Sequence, residues 1–296
     1  MGTIRKRRGL YGLVKVNWKA VSGALLGIAA IFAALFTVSA ATVEQGVALP
    51  VVMYHSVLKD EAYHGKYVIS PQELESDMLY LKSQGYTTIL PEELLAYAQG
   101  KELPEKPVLL TFDDGYYNNY LYAFELAKKH ECKFLIAPIG YYSDFYTQTG
   151  EKNGYYTHCT WEQLREMADS GLVEVGNHSY NLHKGSGSPV GVKKASGETE
   201  EAYRERLTKD LLSAQEAVEK HVGKKPRVFV YPFGAVSKTT PELVQSLGFS
   251  MTLTCEEKIS YVTRDPNSFY GLGRYLRPSG MSSQDFFTKR MKLGKS

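Results

Sequence analysis

Beginning at Val51, short apolar runs alternate with amphipathic segments almost to the end of the chain, and this pattern leaves few folds open. Runs at 51–54, 87–90, 108–112, 133–139, 172–176, 228–231, 250–254 and 273–276 have the length and composition of buried strands. Helix start and stop signals fall between them. Ser70-Pro71-Gln72-Glu73 is a capping box with proline at the first helical position, stopped by Gly85. Thr160-Trp161-Glu162-Gln163 is a second capping box, closed by Gly171. Thr240-Pro241-Glu242 opens a helix that Gly248 ends, and 200–222 places Leu207, Leu211, Ala214 and Val218 at helical spacing. About eight βα-like units predict an α/β protein with a mostly parallel sheet. A closed or nearly closed (β/α) barrel is expected first and an open doubly wound sheet second. The Gly-, Ser- and Lys-rich stretch 184–199 reads as a loop, because strands and helices continue on both sides of it.

Ahead of this body lies a different kind of sequence. Residues 1–19 hold Arg5, Lys6, Arg7, Arg8, Lys15 and Lys19 and no acid, while the remaining chain has 29 basic against 32 acidic residues. The slight overall excess of base therefore comes from the tail, which argues against a nucleic-acid-binding body. Residues 20–41 carry no charge and are rich in Ala, Leu, Ile and Phe, enough to span the hydrocarbon core as one helix. The expected organisation is a basic cytoplasmic tail over 1–19, a transmembrane helix over 20–41, a short linker over 42–50 and a catalytic domain over 51–290. Flanking charge puts the body outside the cytoplasm. Val38-Ser39-Ala40 offers the rival reading of a cleaved signal peptide, which would make the protein secreted. Cys132, Cys159 and Cys255 are too few and too scattered for a disulfide framework or a CxxC zinc site.

In α/β folds the chemistry gathers where strands end. The run 108–112 ends in Asp113-Asp114-Gly115, two carboxylates that can divide metal binding and proton transfer between them. Such a turn also occurs for its backbone geometry alone. The run 172–176 leads into Asn177-His178, with His183 five residues further on, a spacing that suits a loop and not one face of a helix. Tyr231-Pro232-Phe233-Gly234 after another strand is a tight turn able to present backbone N–H groups and an aromatic wall. His55 follows the first strand, and Trp161 precedes the strand that leads to His178 and is a second candidate wall. Taken together, Asp114, His178 and His183 make an Asp-His-His set with open positions, the pattern of a catalytic metal site. The chain also has 22 tyrosines, with doublets at Tyr116-Tyr117, Tyr141-Tyr142 and Tyr155-Tyr156, and phenol rings stack well on sugars.

These motifs carry a family resemblance. Leu110-Thr111-Phe112-Asp113-Asp114-Gly115 resembles the first motif of the polysaccharide deacetylases, the NodB-homology or carbohydrate esterase family 4 group. His178 to His183 resembles their second motif and Tyr231-Pro232-Phe233-Gly234 their third, so the likeness runs from about Val51 to Arg277. It implies a distorted (β/α) barrel, a divalent metal (zinc first, with nickel, cobalt or iron as alternatives) and hydrolysis of N-acetyl groups on amino-sugar polymers. By resemblance, Asp114, His178 and His183 hold the metal and Asp113 is the base. The backbone N–H of Phe233 faces the oxyanion, and Tyr231, Pro232 and Phe233 border the substrate. The five-residue histidine spacing resembles the branch acting on poly-N-acetylglucosamine. Val230 stands where the family has an arginine, so Asp113 lacks its usual cationic neighbour unless Arg227, Arg274 or Arg277 replaces it. No histidine follows His221, and Met53-Tyr54-His55 matches members that carry the general acid early, which assigns it to His55. An O-acetyl polysaccharide esterase, or a membrane-tethered carbohydrate binder without turnover, is the alternative function.

Overall fold

The computed structural model describes residues 17–19, 46–187 and 189–294. Almost all of the expected tail and the whole of the expected membrane helix lie outside the described residues. Among those that are described, no helix is long and apolar enough to cross a membrane. The body forms one compact unit from Gly46 onward.

In chain order its strands are β1 (Val47–Leu49), β2 (Val51–Tyr54), β3 (Ser56–Val57), β4 (Val68–Ile69), β5 (Thr87–Thr88), β6 (Pro107–Asp114), β7 (Phe134–Pro138), β8 (Val173–Val175), β9 (Val228–Val230), β10 (Met251–Leu253), β11 (Ser260–Val262) and β12 (Tyr275–Leu276). The sheet runs β12-β2-β6-β7-β8, all parallel. Strands β9 and β10 form a second parallel pair. Single parallel bridges join the two pieces, Asn177 with Phe229 on one side and Leu253 with Leu272 on the other. Seven parallel strands (β2, β6, β7, β8, β9, β10, β12) thus close into a ring with two thin seams, which is a distorted (β/α) barrel. The run 87–90 shortens to β5, which pairs only with the start of β6 and is not a stave. Val47–Leu49, within the stretch 42–50 expected to be linker, instead pairs antiparallel with β11.

β6 is buried along its whole length. Its alternate residues serve two cores: Leu109 joins Val51, Leu135, Val228, Val230, Met251 and Leu253 inside the ring, while Val108, Leu110 and Phe112 pack outward against the helices. The helices of the body include α1 (Pro71–Ser83), α2 (Pro91–Ala98), α3 (Glu125–His130), α4 (Gly140–Thr149), α5 (Trp161–Asp169), α6 (Glu200–Val222) and α7 (Thr240–Ser246), of which α1, α3, α5 and α6 contribute to that outer core. The two capping boxes form as the sequence predicts. Ser70 Oγ accepts from the Glu73 N–H at 3.1 Å and Glu73 accepts from the Ser70 N–H at 2.8 Å, and Thr160 exchanges the same bonds with Gln163. α6 buries Tyr203, Leu207, Leu211, Ala214 and Val218 and ends at Gly223 in the left-handed conformation. No helix or strand forms between His183 and Glu200 among the described residues.

Candidate active site

The strand ends converge as predicted. β6 finishes in Asp113 and Asp114, and Asp114 adopts φ 67° followed by Gly115 at φ 73°. This left-handed turn, which aspartate tolerates better than most residues, takes the chain off the strand and breaks its alternation. A side chain at Gly115 would also stand 2.8 Å from Pro138, so the turn needs glycine.

Asp114 Oδ1 lies 3.2 Å from His183 Nε2 and 3.6 Å from His178 Nε2. One ligand atom from each residue falls within 4.8 Å of the others. His178 is buried, and its Nδ1 lies 2.8 Å from the Val230 carbonyl, so Nδ1–H donates there and Nε2 keeps its lone pair toward the site. Asp114 Oδ1 is buried with no hydrogen-bond partner among the described residues. A carboxylate oxygen without a donor beside two imidazole nitrogens is the donor set of a zinc-type cation, and the residues present fit one. Burial, with Asp113 adding its charge, pushes the Asp114 carboxyl up to about 6, and burial lowers His178 to about 3.

The loop between the two histidines is tied down by a residue that no motif marks. The Tyr180 and Asn181 N–H groups donate to the two carboxylate oxygens of Asp210 on α6, each at 2.8 Å. His183 in turn packs on Phe233, ring centroids 4.3 Å apart.

Asp113 faces a cation supplied from far along the chain. Arg274 Nη1 donates to its Oδ1 at 2.6 Å and Nη2 to its Oδ2 at 2.9 Å. The guanidinium is fully buried and also donates to the Thr254 carbonyl and Thr111 Oγ1. Of the three arginines offered by the sequence, Arg274 takes the place. Arg277 pairs with Asp77, and Arg227 reaches Ser250. Burial alone would raise the Asp113 carboxyl, but the Arg274 charge and hydrogen bonds, with His178 and His55 adding to them, together hold the group well below the usual carboxylate range. On the other side His55 Nε2 is 3.9 Å from Asp113 Oδ2, its ring set edge-on to Tyr67 at 4.9 Å.

These groups open onto a cleft of about 620 Å³ lined by His55, Asp114, His178 and His183 together with Tyr67, Tyr116, Phe233, Cys255, Glu257, Leu276 and Arg290, among others. Two expected walls are not part of it. Trp161 is buried at the start of α5, where Nε1–H donates to Asp144 at 2.7 Å and the ring stacks on His221. Tyr231 continues the outward face of β9 with Phe229 and packs against Tyr203 and Leu207 of α6, while Val230 faces the ring interior. Pro232 is buried below the turn; of the third motif, Phe233 alone among these side chains lines the cleft, at φ 58°. Tyr67, Glu257 and Arg290 belong to no motif and went unpredicted for that reason.

A family model described as polysaccharide deacetylase matches residues 100–252. The chain is 32% identical over 231 residues to a poly-beta-1,6-N-acetyl-D-glucosamine N-deacetylase of Escherichia coli (strain K12), covering 71% of this chain and 34% of that protein. It therefore spans about a third of that relative's length. Among solved structures, IcaB from Ammonifex degensii matches with a TM-score of 0.67 at 31% identity, over 85% of this chain and 99% of that one. A de-N-acetylase from Aggregatibacter actinomycetemcomitans matches with a TM-score of 0.68 at 28% identity, over 79% and 97%. With the ring of strands, the paired aspartates and the two loop histidines all in place, this chain belongs to the polysaccharide deacetylase family.

Proposed function

We propose that this chain hydrolyses N-acetyl groups of N-acetylglucosamine units in an extracellular or cell-wall polysaccharide, of the poly-β-1,6-linked type that its relatives are named for, releasing acetate and leaving free amines. The observation that carries this reading is the buried Asp113–Arg274 pair set beside Asp114, His178 and His183, with His55 across the cleft. Asp114, His178 and His183 would hold a divalent cation, zinc first. When bound, such a cation supplies a Lewis acid that polarises an acyl oxygen and acidifies water.

The remaining work falls to the chain's own groups. Asp113, kept ionised by Arg274, takes the proton of the attacking water. The bidentate guanidinium fixes the direction of its lone pairs. His55 gives a proton to the departing nitrogen as the amide C–N bond breaks, and the Phe233 turn offers a backbone N–H toward the acyl oxygen. Chelator treatment is expected to abolish acetate release from β-1,6-linked N-acetylglucosamine oligomers, and added zinc to restore it. Release from O-acetyl esters only, or binding without chelator-sensitive release, would overturn the reading. The binder alternative draws on Val230 and on the missing late histidine; Arg274 beside Asp113 speaks against the first and His55 near Asp113 against the second.

The same reading includes the N-terminal segment. Residues 20–41 anchor the chain in the membrane with 1–19 in the cytoplasm and the catalytic body outside, or are removed after Ala40 to release it. The run of uncharged residues behind a purely basic tail supports this.

A further inference from the structure

One run of aromatic rings leaves the cleft and ends in solvent. Tyr116 lines the cleft beside Asp114, and its ring stacks on the imidazole of His158 at 4.7 Å and 28°. Tyr142 of α4 stacks on the same imidazole at 4.4 Å and 16°. Tyr141 meets Tyr142 edge-on at 5.5 Å, and Phe145 stacks on Tyr141 at 6.5 Å. His158 is only 8% exposed, and its Nδ1 has no hydrogen-bond partner among the described residues. The outer three rings are the reverse: Tyr141 is 41% exposed, Tyr142 38% and Phe145 43%.

α4 already has its buried stripe in Gly140, Ser143 and Tyr146, so these three aromatics occupy the face that a helix normally leaves to polar residues. A contiguous exposed aromatic face next to a catalytic cleft marks a binding surface. α4 contains no lysine or arginine; its one charged residue, Asp144, accepts from Trp161 Nε1–H and the Tyr180 hydroxyl, and Glu151 beyond the helix is followed by Lys152. An anionic lipid surface is therefore a poor occupant. Flat, weakly polar pyranose faces suit the rings.

We propose that Tyr141, Tyr142 and Phe145 form a stacking ledge for the sugar units that flank the one in the cleft, with the Tyr142–His158–Tyr116 ring stack joining ledge to site. This rests on the amino-sugar reading of the site and extends it to a polymer several units long. Calorimetric titration with β-1,6-linked N-acetylglucosamine dimer and hexamer tests it, alongside acetate release from the same oligomers. In the unaltered protein the hexamer binds more tightly than the dimer. That advantage shrinks about three- to tenfold in Tyr141→Ala and in Phe145→Ser, and Tyr142→Phe, which keeps the ring, retains it. No advantage of the hexamer in the unaltered protein, or an advantage untouched by Tyr141→Ala and Phe145→Ser, overturns the ledge. Tight, length-dependent binding without acetate release leaves the ledge standing and removes the deacetylase reading instead.

Discussion

Asp113 is both buried and charged, and a single guanidinium reconciles the two. Replacing one partner of such a pair leaves the other uncompensated in a dry interior, which destabilises by about 3–5 kcal/mol. Arg274→Gln is expected to lose that much in urea unfolding at neutral pH and to lose acetate release as well. The sign of its pH dependence follows from the depressed carboxyl. The stability it contributes is present above the unfolded aspartate value of about 3.9 and is lost as pH falls below that. In Arg274→Gln the buried carboxyl has lost its cation and takes up a proton well above that value, which relieves its penalty, so the gap between the variant and the unaltered protein should narrow on acidification from pH 7 toward 4; a constant gap would refute the assignment. Asp114 behaves in the opposite sense. Its carboxyl, pushed up to about 6 by burial and by Asp113, must lose a proton to ligate, whereas His178 is already neutral there. Zinc affinity measured by chelator competition is expected to be flat above pH 6 and to fall about tenfold per pH unit below it. The acidic and imidazole groups were legible in the sequence because the chemistry dictates their types. The arginine was legible only as one of three, since nothing local distinguishes Arg274 from Arg227 or Arg277 before the ring closes.

Elements were readable where a side chain announces them. Ser70 and Thr160 cap their helices through their own hydroxyls, and both helices begin where the sequence puts them. α2 and α4 begin after Leu90 and Ile139, which make no side-chain cap, so neither carried a start signal of that kind. The aromatic walls failed for a related reason: a strand end fixes where a residue stands, but the face it takes depends on register, and Tyr231 falls on the outward side of β9. Asp210 is the element-scale counterpart of Arg274. It lies in the middle of a long helix, where a carboxylate normally faces water, yet it holds two consecutive amides of the loop between His178 and His183. Asp210→Ala is expected to weaken cation affinity about 10- to 100-fold, as loss of a group orienting the ligands does, with Asp210→Asn intermediate because its amide retains one acceptor oxygen. Cobalt titration followed by absorption reads this directly, and unchanged affinity in both variants would show that the loop holds itself.

For the whole molecule, the alternation of strand and helix foretold the barrel, while its two thin seams were beyond prediction, because each rests on one bridge between residues without any pattern of their own. The apolar segment 20–41 remains the feature through which location can be tested. On the anchored reading, the full chain stays with membranes after alkaline carbonate extraction and yields to detergent; recovery in the carbonate supernatant would favour release after Ala40.

Arg274 enters the site beside β12, more than a hundred residues after the aspartate it neutralises, and β12 pairs with β2, which leads to His55. A nascent chain still lacking Arg274 can already display both histidines and both aspartates, yet Asp113 has no counter-charge and the closing stave is missing. The pair therefore forms only after Arg274 has been made. Proteolytic clipping ahead of Arg274 would strip Asp113 of its cation while sparing Asp114, His178 and His183.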